Sequence, residues 1–181
     1  RLGTQLVLQD GRKYRFALNG GTLQVIGDVV TSAAIITTDQ SLAASAAAIG
    51  ARTISFVHGA ATVVVNYFAE GFATVSLAPG SGQAYKIASH LALTSSGTDT
   101  VNLAAGHAVR VALTTTSDIS LLAHPYAGII QAAATTLTGA PVGVAVSAIP
   151  VDDFGWVQTR GAASVLGIGT LVVGANAVSP T

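Results

Sequence analysis

The sequence predicts an all-β fold, a short-stranded antiparallel β-sandwich or barrel with a β-rich insertion and little helix. Three observations carry this. Short runs with apolar residues at a period of two recur along the 181 residues, separated by Gly, Pro and Asx turns about 8–12 residues apart. An Asp10-Gly11 pair joins two such runs near the start, a strong short-range hairpin signal because both residues adopt positive φ cheaply. The one stretch with high helix propensity, Leu42–Ala48, is under three turns long, too short to stand without packing.

In order, Leu6–Gln9 and Arg12–Leu18 form the arms of the hairpin. Tyr14, Phe16 and Leu18 point to one side and Lys13 and Arg15 to the other, and Asn19-Gly20-Gly21 ends the strand. Val25–Val30 and Ala34–Thr37 read as short strands, and Leu42–Ala48 as a helical turn or ordered linker. Thr53–Val57 leads into a His58-Gly59 turn, Thr62–Tyr67 is β-branched, and Phe72–Leu77 alternates up to Pro79-Gly80-Ser81-Gly82. Tyr85, Ile87, His90 and Leu91 or Leu93 continue the series, followed by Thr100–Leu103, Ala108–Thr114 and Ile119–Leu122. The stretch from Gly139 to Leu166 organises the chain as two strands joined by a polar turn. Val142, Val144 and Val146 share one face of the first strand, and Asp152-Asp153 makes the turn. Phe154 and Trp156, with Val165 and Leu166 further on, mark the buried positions of the second. Trp156 is the only tryptophan and a natural packing centre. Thr170–Val173 is expected as a final strand.

Composition narrows the function. There is no cysteine, which excludes disulfides, thiolate metal sites and cysteine nucleophiles. Lys plus Arg is 8 and Asp plus Glu is 8, with no block of like charge, which speaks against direct nucleic-acid binding. Only 9% of residues are charged, against about 25% in an ordinary soluble domain. Such a surface is either neutral but hydrated, rich in Ala, Thr, Ser and Gly, or covered in an assembly, and obligate interfaces are depleted in charge. The assembly is the preferred reading. No apolar window approaches the ~20 residues of a spanning helix, and 6% aromatics is far too few for a barrel's aromatic girdles, so no membrane is expected. No N-terminal signal pattern is visible, and the absence of methionine implies a chain that begins after processing or lacks a few residues.

Reactive constellations are hard to assemble from these residues. His58, His90, His107 and His124 are far apart and show no metal-ligand spacing. Asp152-Asp153 point to opposite faces of a strand, so turn chemistry outweighs acid–base work or cation binding. The only glutamate, Glu70, lies in a predicted turn. No Gly-x-Ser-x-Gly elbow occurs, and Gly167-Ile168-Gly169 lacks the third glycine of a dinucleotide loop. The expectation is a non-enzyme with no cofactor and no metal. The candidate partner-contact residues are Arg12, Lys13, Arg15 and Arg160. The first three cluster with Arg1, half of the basic residues in one segment, and would dock on an acidic partner surface. Their bland reading is a solvated hairpin face that deters edge pairing.

Several stretches, in order along the chain, resemble the head decoration (cement) proteins of tailed bacteriophages. They are Asp10–Gly21 (DGRKYRFALNGG), Gly27–Val30, Gly82–Ile87, Val109–Thr114, His124–Tyr126, Val142–Ala145 and Gly155–Gly161 (GWVQTRG). The resemblance implies β-rich subunits, commonly homotrimers, on the outer capsid surface of the virion. There they bridge capsomers of the major capsid protein against the pressure of packaged DNA, and they have no catalytic residues. It also implies that Gly27–Val30 partners the Gly-Val-Ala and Trp-Val-Gln strands. Residues 1–42 and 122–181 would then form one β domain, with 43–121 as a β-rich insertion. The alternatives are a glycan-binding β-sandwich module, or another virion component such as a tail-tube or fibre subunit.

Overall fold

The hairpin at Asp10-Gly11 starts the first sheet. In the computed structural model, which describes residues 1–133 and 136–166, Gly11 takes φ +85° and donates its N–H to Leu8 O, while Asp10 Oδ1 accepts from the Arg12 N–H. The strands so joined are β1 (Gln5–Val7) and β2 (Lys13–Leu18). Among the described residues ten more follow: β3 (Val29–Thr31), β4 (Leu42–Ala43), β5 (Thr53–Val57), β6 (Phe72–Val75), β7 (Ala84–His90), β8 (Thr98–Leu103), β9 (Asp118–Leu122), β10 (Ile130–Gln131), β11 (Pro141–Ala145) and β12 (Phe154–Arg160). The sole helical element among the described residues is a 3-10 turn, Thr37–Asp39. The fold is all-β, and its strands pair antiparallel in two six-stranded sheets.

The chain divides into two compact units. The first contains Arg1–Ala34 and the described residues from Pro125 on; the second is Ile35–His124. Leu42 pairs with Ile119, so this part of the chain belongs to the second sheet rather than the first.

The first unit holds the sheet β1-β2-β12-β11-β3-β10. Its core is Ala17, Val30, Ile129, Ile149 and Val157. The buried face of β12 is the reverse of the expected one: Val157 is fully buried, while Phe154 is 57% exposed. Ile149 explains the reversal. It presses on Gly155, where a β-carbon would come within 2.5 Å of its Cδ1. A bulky aliphatic needs a small residue opposite it, so the face carrying Gly155 and Val157 turns inward and period two sends Phe154 and Trp156 outward. There Phe16 stacks on Phe154 and meets Trp156 edge-on, with centroids 5.4 and 5.3 Å apart. Val165 and Leu166 are likewise exposed, not buried. Asp152 and Asp153 do form the turn, with Asp152 at φ +60° and Asp153 N–H donating to Pro150 O. Asn19, read as a strand terminator, is a buried hub. Its Nδ2 donates to Thr22 O, Ile149 O and Pro150 O, and its Oδ1 accepts from Gly21 N and Gln24 Nε2.

The second unit holds β4-β9-β6-β7-β8-β5, and an Ala44–Phe56 bridge with a Ser45 N–H to Ser55 O bond nearly closes it into a barrel. Alternation is clean: Ile54 and Phe56, Tyr85 and Ile87, Val101 and Leu103, and Ile119 and Leu121 all point inward. A bulge between Ile87 and Ser89 shifts the phase of β7 and returns His90 to the interior.

Several expected elements are corrected. Leu42–Ala48 is extended, with Ala44 and Ala47 bridging to Phe56 and Leu113, because pairing outweighs alanine's helix propensity. Val25–Asp28 is a turn in which Asp28 Oδ2 accepts from the Val25 N–H, so that strand begins only at Val29. Residues 34–36 form no strand and lead into the 3-10 turn. Thr62–Tyr67 and Ala108–Thr114 each supply a single bridge residue, Val63 and Leu113, and otherwise turn. The expected Thr170–Val173 strand and Gly167–Gly169 lie outside the described residues.

Candidate functional site

The hairpin and the end of β12 converge on one corner of the first sheet. Pairing of β2 with β12 sets Phe16 opposite Trp156 and Tyr14 opposite Gln158. An irregularity between Gln158 and Arg160 then brings Arg160 opposite Lys13. Arg12 lies against the same strand end, since a β-carbon on Gly161 would meet Arg12 Cγ at 2.8 Å. Arg15 is two residues further along β2, on the Lys13 side. The structure therefore gathers the four sequence-predicted cations on two neighbouring strands and one turn.

Their local partners differ. Arg12 Nε contacts Asp10 Oδ2 at 2.6 Å. Hydrogen bonds from the Arg12 backbone and then its side chain hold the Asp10 carboxyl below its usual range, and Asp10 raises Arg12 in return. Both groups are exposed, so the pair contributes little to stability. Arg15 Nη1 donates to Gly3 O at 2.7 Å and ties down the segment before β1. Among the described residues, no ion pair engages Lys13 or Arg160. Like charges in directly opposed cross-strand positions repel.

Beside these cations lies an open groove of about 340 Å³. Val29, Val142 and Val144 form its apolar part, and Gln158, Thr159 and Arg160 its polar rim. Val29, Val144 and Gln158 fall in one row across β3, β11 and β12. A bulge at Pro141/Gly143 bends β11 here, and Gly143 sits so close to β12 that a β-carbon would lie 2.6 Å from Gln158 O. Gln158 is buried, and its Nε2 donates to Arg160 O and Ala162 O, fixing the path of the chain along the rim. An aliphatic trough with Arg160 at its lip, and Lys13 in cross-strand register with Arg160, suits an extended partner segment that carries apolar side chains and a carboxylate.

Sequence reasoning found the cations but missed the groove. The bulge that shapes it depends on which strands become neighbours, and only Gly143 inside a valine run hinted at it. It also missed the Phe16–Phe154–Trp156 cluster, because the buried face of β12 was assigned to the rings. The four histidines fall in the second unit, and among the described residues no three His, Cys, Asp or Glu side chains converge as metal ligands.

Compared with models of protein families, with curated proteins and with solved structures, the chain matches none. What is established is the class: an all-β chain of two antiparallel six-stranded sheets, one of them nearly barrel-shaped.

Proposed function

We propose that the chain is a non-enzymatic virion structural protein that decorates the outer surface of a tailed-phage capsid. It cements neighbouring capsomers of the major capsid protein as a homotrimer. The observation that carries this reading is the Lys13–Arg160 pair, two opposed cations beside an apolar groove in a chain with only 9% charged residues. A protein so sparing with charge that sets two cations in cross-strand register, neither engaged in an ion pair among the described residues, is equipped for a partner that supplies an anion. The apolar rows beside them add dry contact area. Repetition over a shell turns many such modest contacts into firm attachment. The resemblance of the hairpin and of Gly155–Gly161 to cement proteins supports the same assignment, since those stretches form the cationic corner.

The experiment adds purified protein to undecorated tailed-phage heads and measures co-sedimentation. Saturable binding at a fixed ratio to capsid protein is expected, weakened by salt and by Lys13→Gln with Arg160→Gln. Binding to tails with none to heads would favour a tail component. A second reading, a glycan-binding module, is favoured by the outward Phe16, Phe154 and Trp156 rings. Glycan-array signals lost in Trp156→Ala, with no head binding, would establish it instead.

A further inference from the structure

The second unit buries a polar pair that no binding surface uses. His58 comes directly after β5, Asp39 ends the 3-10 turn, neither side chain has any solvent exposure, and His58 Nε2 lies 2.8 Å from Asp39 Oδ1. The other ring nitrogen sets the proton count. His58 Nδ1 is 3.0 Å from the carbonyl oxygen of Thr94, which can only accept, so Nδ1 carries a hydrogen. A bare imidazole nitrogen and a carboxylate oxygen, both acceptors, do not sit 2.8 Å apart away from water. The pair therefore holds one proton, as imidazolium–carboxylate or as imidazole–carboxylic acid, at a 2.8 Å contact that is close but not aligned as a hydrogen bond. Burial pushes the Asp39 carboxyl up, and the His58 ring and Thr38 hydroxyl pull it part of the way back.

Other groups face the pair from the packed elements around it. Asp99 of β8 places Oδ2 3.8 Å from His58 Nδ1 and accepts from the Thr94 N–H. Tyr67 is raised by its own burial and by Asp39. His90 of β7 accepts the Phe68 N–H at Nε2 and contacts Leu91 O through Nδ1, a pattern that makes it a neutral ring. Burial lowers it further from protonation. Phe56 meets the His58 ring edge-on.

The turn is flanked by other holds: Gln40 Nε2 donates to Leu121 O, the Ser41 N–H donates to Ser120 Oγ, and Ile36 packs on the core. Inside it, the Asp39 side chain is the one turned to the barrel's polar interior. The turn carries no side-chain cap and two internal bonds, Asp39 N–H to Ile36 O and Gln40 N–H to Thr37 O. Gly59 lets it seat closely, since a β-carbon there would run into Thr38 O. We propose that the proton shared by Asp39 and His58 is a latch: while it is present the 3-10 turn is seated on the barrel, and its loss as pH rises releases the turn. This device stands independently of what the first unit binds. The sign comes from the carboxyl. A group raised on folding stabilises fully below the ordinary carboxylate range, and that stability is lost as pH rises through the raised value.

The test is amide hydrogen exchange on the full chain, expressed as protection relative to the unstructured amide at each pH. Protection of Asp39 and Gln40 is expected to fall by up to about tenfold per pH unit as the shared proton is lost, the limit for a single proton. The Ala17 and Val157 amides of the first unit should stay constant. In Asp39→Asn the side-chain amide donates to Nε2 with no proton to lose, so protection should become independent of pH. Should that variant fail to fold, nitrogen NMR of the wild-type ring at neutral pH decides, with hydrogen expected on Nδ1 and between Nε2 and Oδ1. Wild-type protection that ignores pH, an Asp39→Asn profile like the wild type's, or a bare Nδ1 would each overturn the latch.

Discussion

Lys13 and Arg160 oppose each other across β2 and β12, and among the described residues no ion pair engages either. Two like charges set in cross-strand register are expected to cost the free protein stability and to give a partner something to relieve. The relationship ties the β2–β12 pair of the first sheet to its proposed role.

Removing one of the two should therefore separate stability from binding. Lys13→Gln is expected to stabilise the isolated protein by about 0.2–1 kcal/mol, the cost of a like-charge cross-strand pair. Denaturant unfolding measures this. The same change should weaken head binding and flatten its salt dependence, since a screened charge contact has been lost.

Gly143→Ala attacks the groove from beneath. The added methyl meets backbone, Gln158 O at 2.6 Å, so β11 and β12 must part. The expected loss is about 1–3 kcal/mol in thermal or denaturant unfolding, typical of overpacking at a site that cannot yield. Gly11→Ala meets no atom within 4 Å and loses only what its φ of +85° imposes, so it should leave β11–β12 pairing intact.

Asn19→Ala empties a buried hub. Three carbonyls lose the same amide donor, and the Gly21 and Gln24 donors lose their acceptor. Thr22 O, Ile149 O and Pro150 O each keep a second donor and Gln24 Nε2 keeps Thr22 O, so Gly21 N–H is the group left without a partner. One such group costs about 1–3 kcal/mol, so the first unit is expected to unfold first in hydrogen exchange, with the second unit little changed.

Acid should destabilise the second unit through His90. Its ring is lowered from 6.5 mainly by burial, so the unfolded chain binds the proton more readily. The contribution of His90 is then complete above about 6.5 and lost as pH falls through the lowered value, with a slope of at most about 1.4 kcal/mol per pH unit. Urea unfolding at stepped pH should show this slope in the wild type and a shallower one in His90→Gln.

Local chemistry made much of the fold legible. Asp10-Gly11 announced its hairpin because the turn depends on two residues alone, and Phe72–Val75, Thr98–Leu103 and β7 up to its bulge obey the period of two. Errors arose where a distant neighbour decides. Leu42–Ala48 carries helix propensity but is claimed by β9, Phe56 and Leu113. The facing of β12 turned on Ile149 seeking a glycine. For the candidate site, the cations were visible as types and clusters, whereas their opposition and the groove exist only through the β2–β12 register and the β11 bulge. The buried Asp39–His58 contact carries no spacing signal at all.

A density map of an intact tailed-phage particle incubated with this chain tests the capsid assignment most directly. The expected map shows three copies around symmetry axes of the outer shell, with the Lys13–Arg160 corner and the Val29–Val144 groove against the major capsid protein. Shells left bare at saturating protein, or a chain seated with that corner facing solvent, would contradict it.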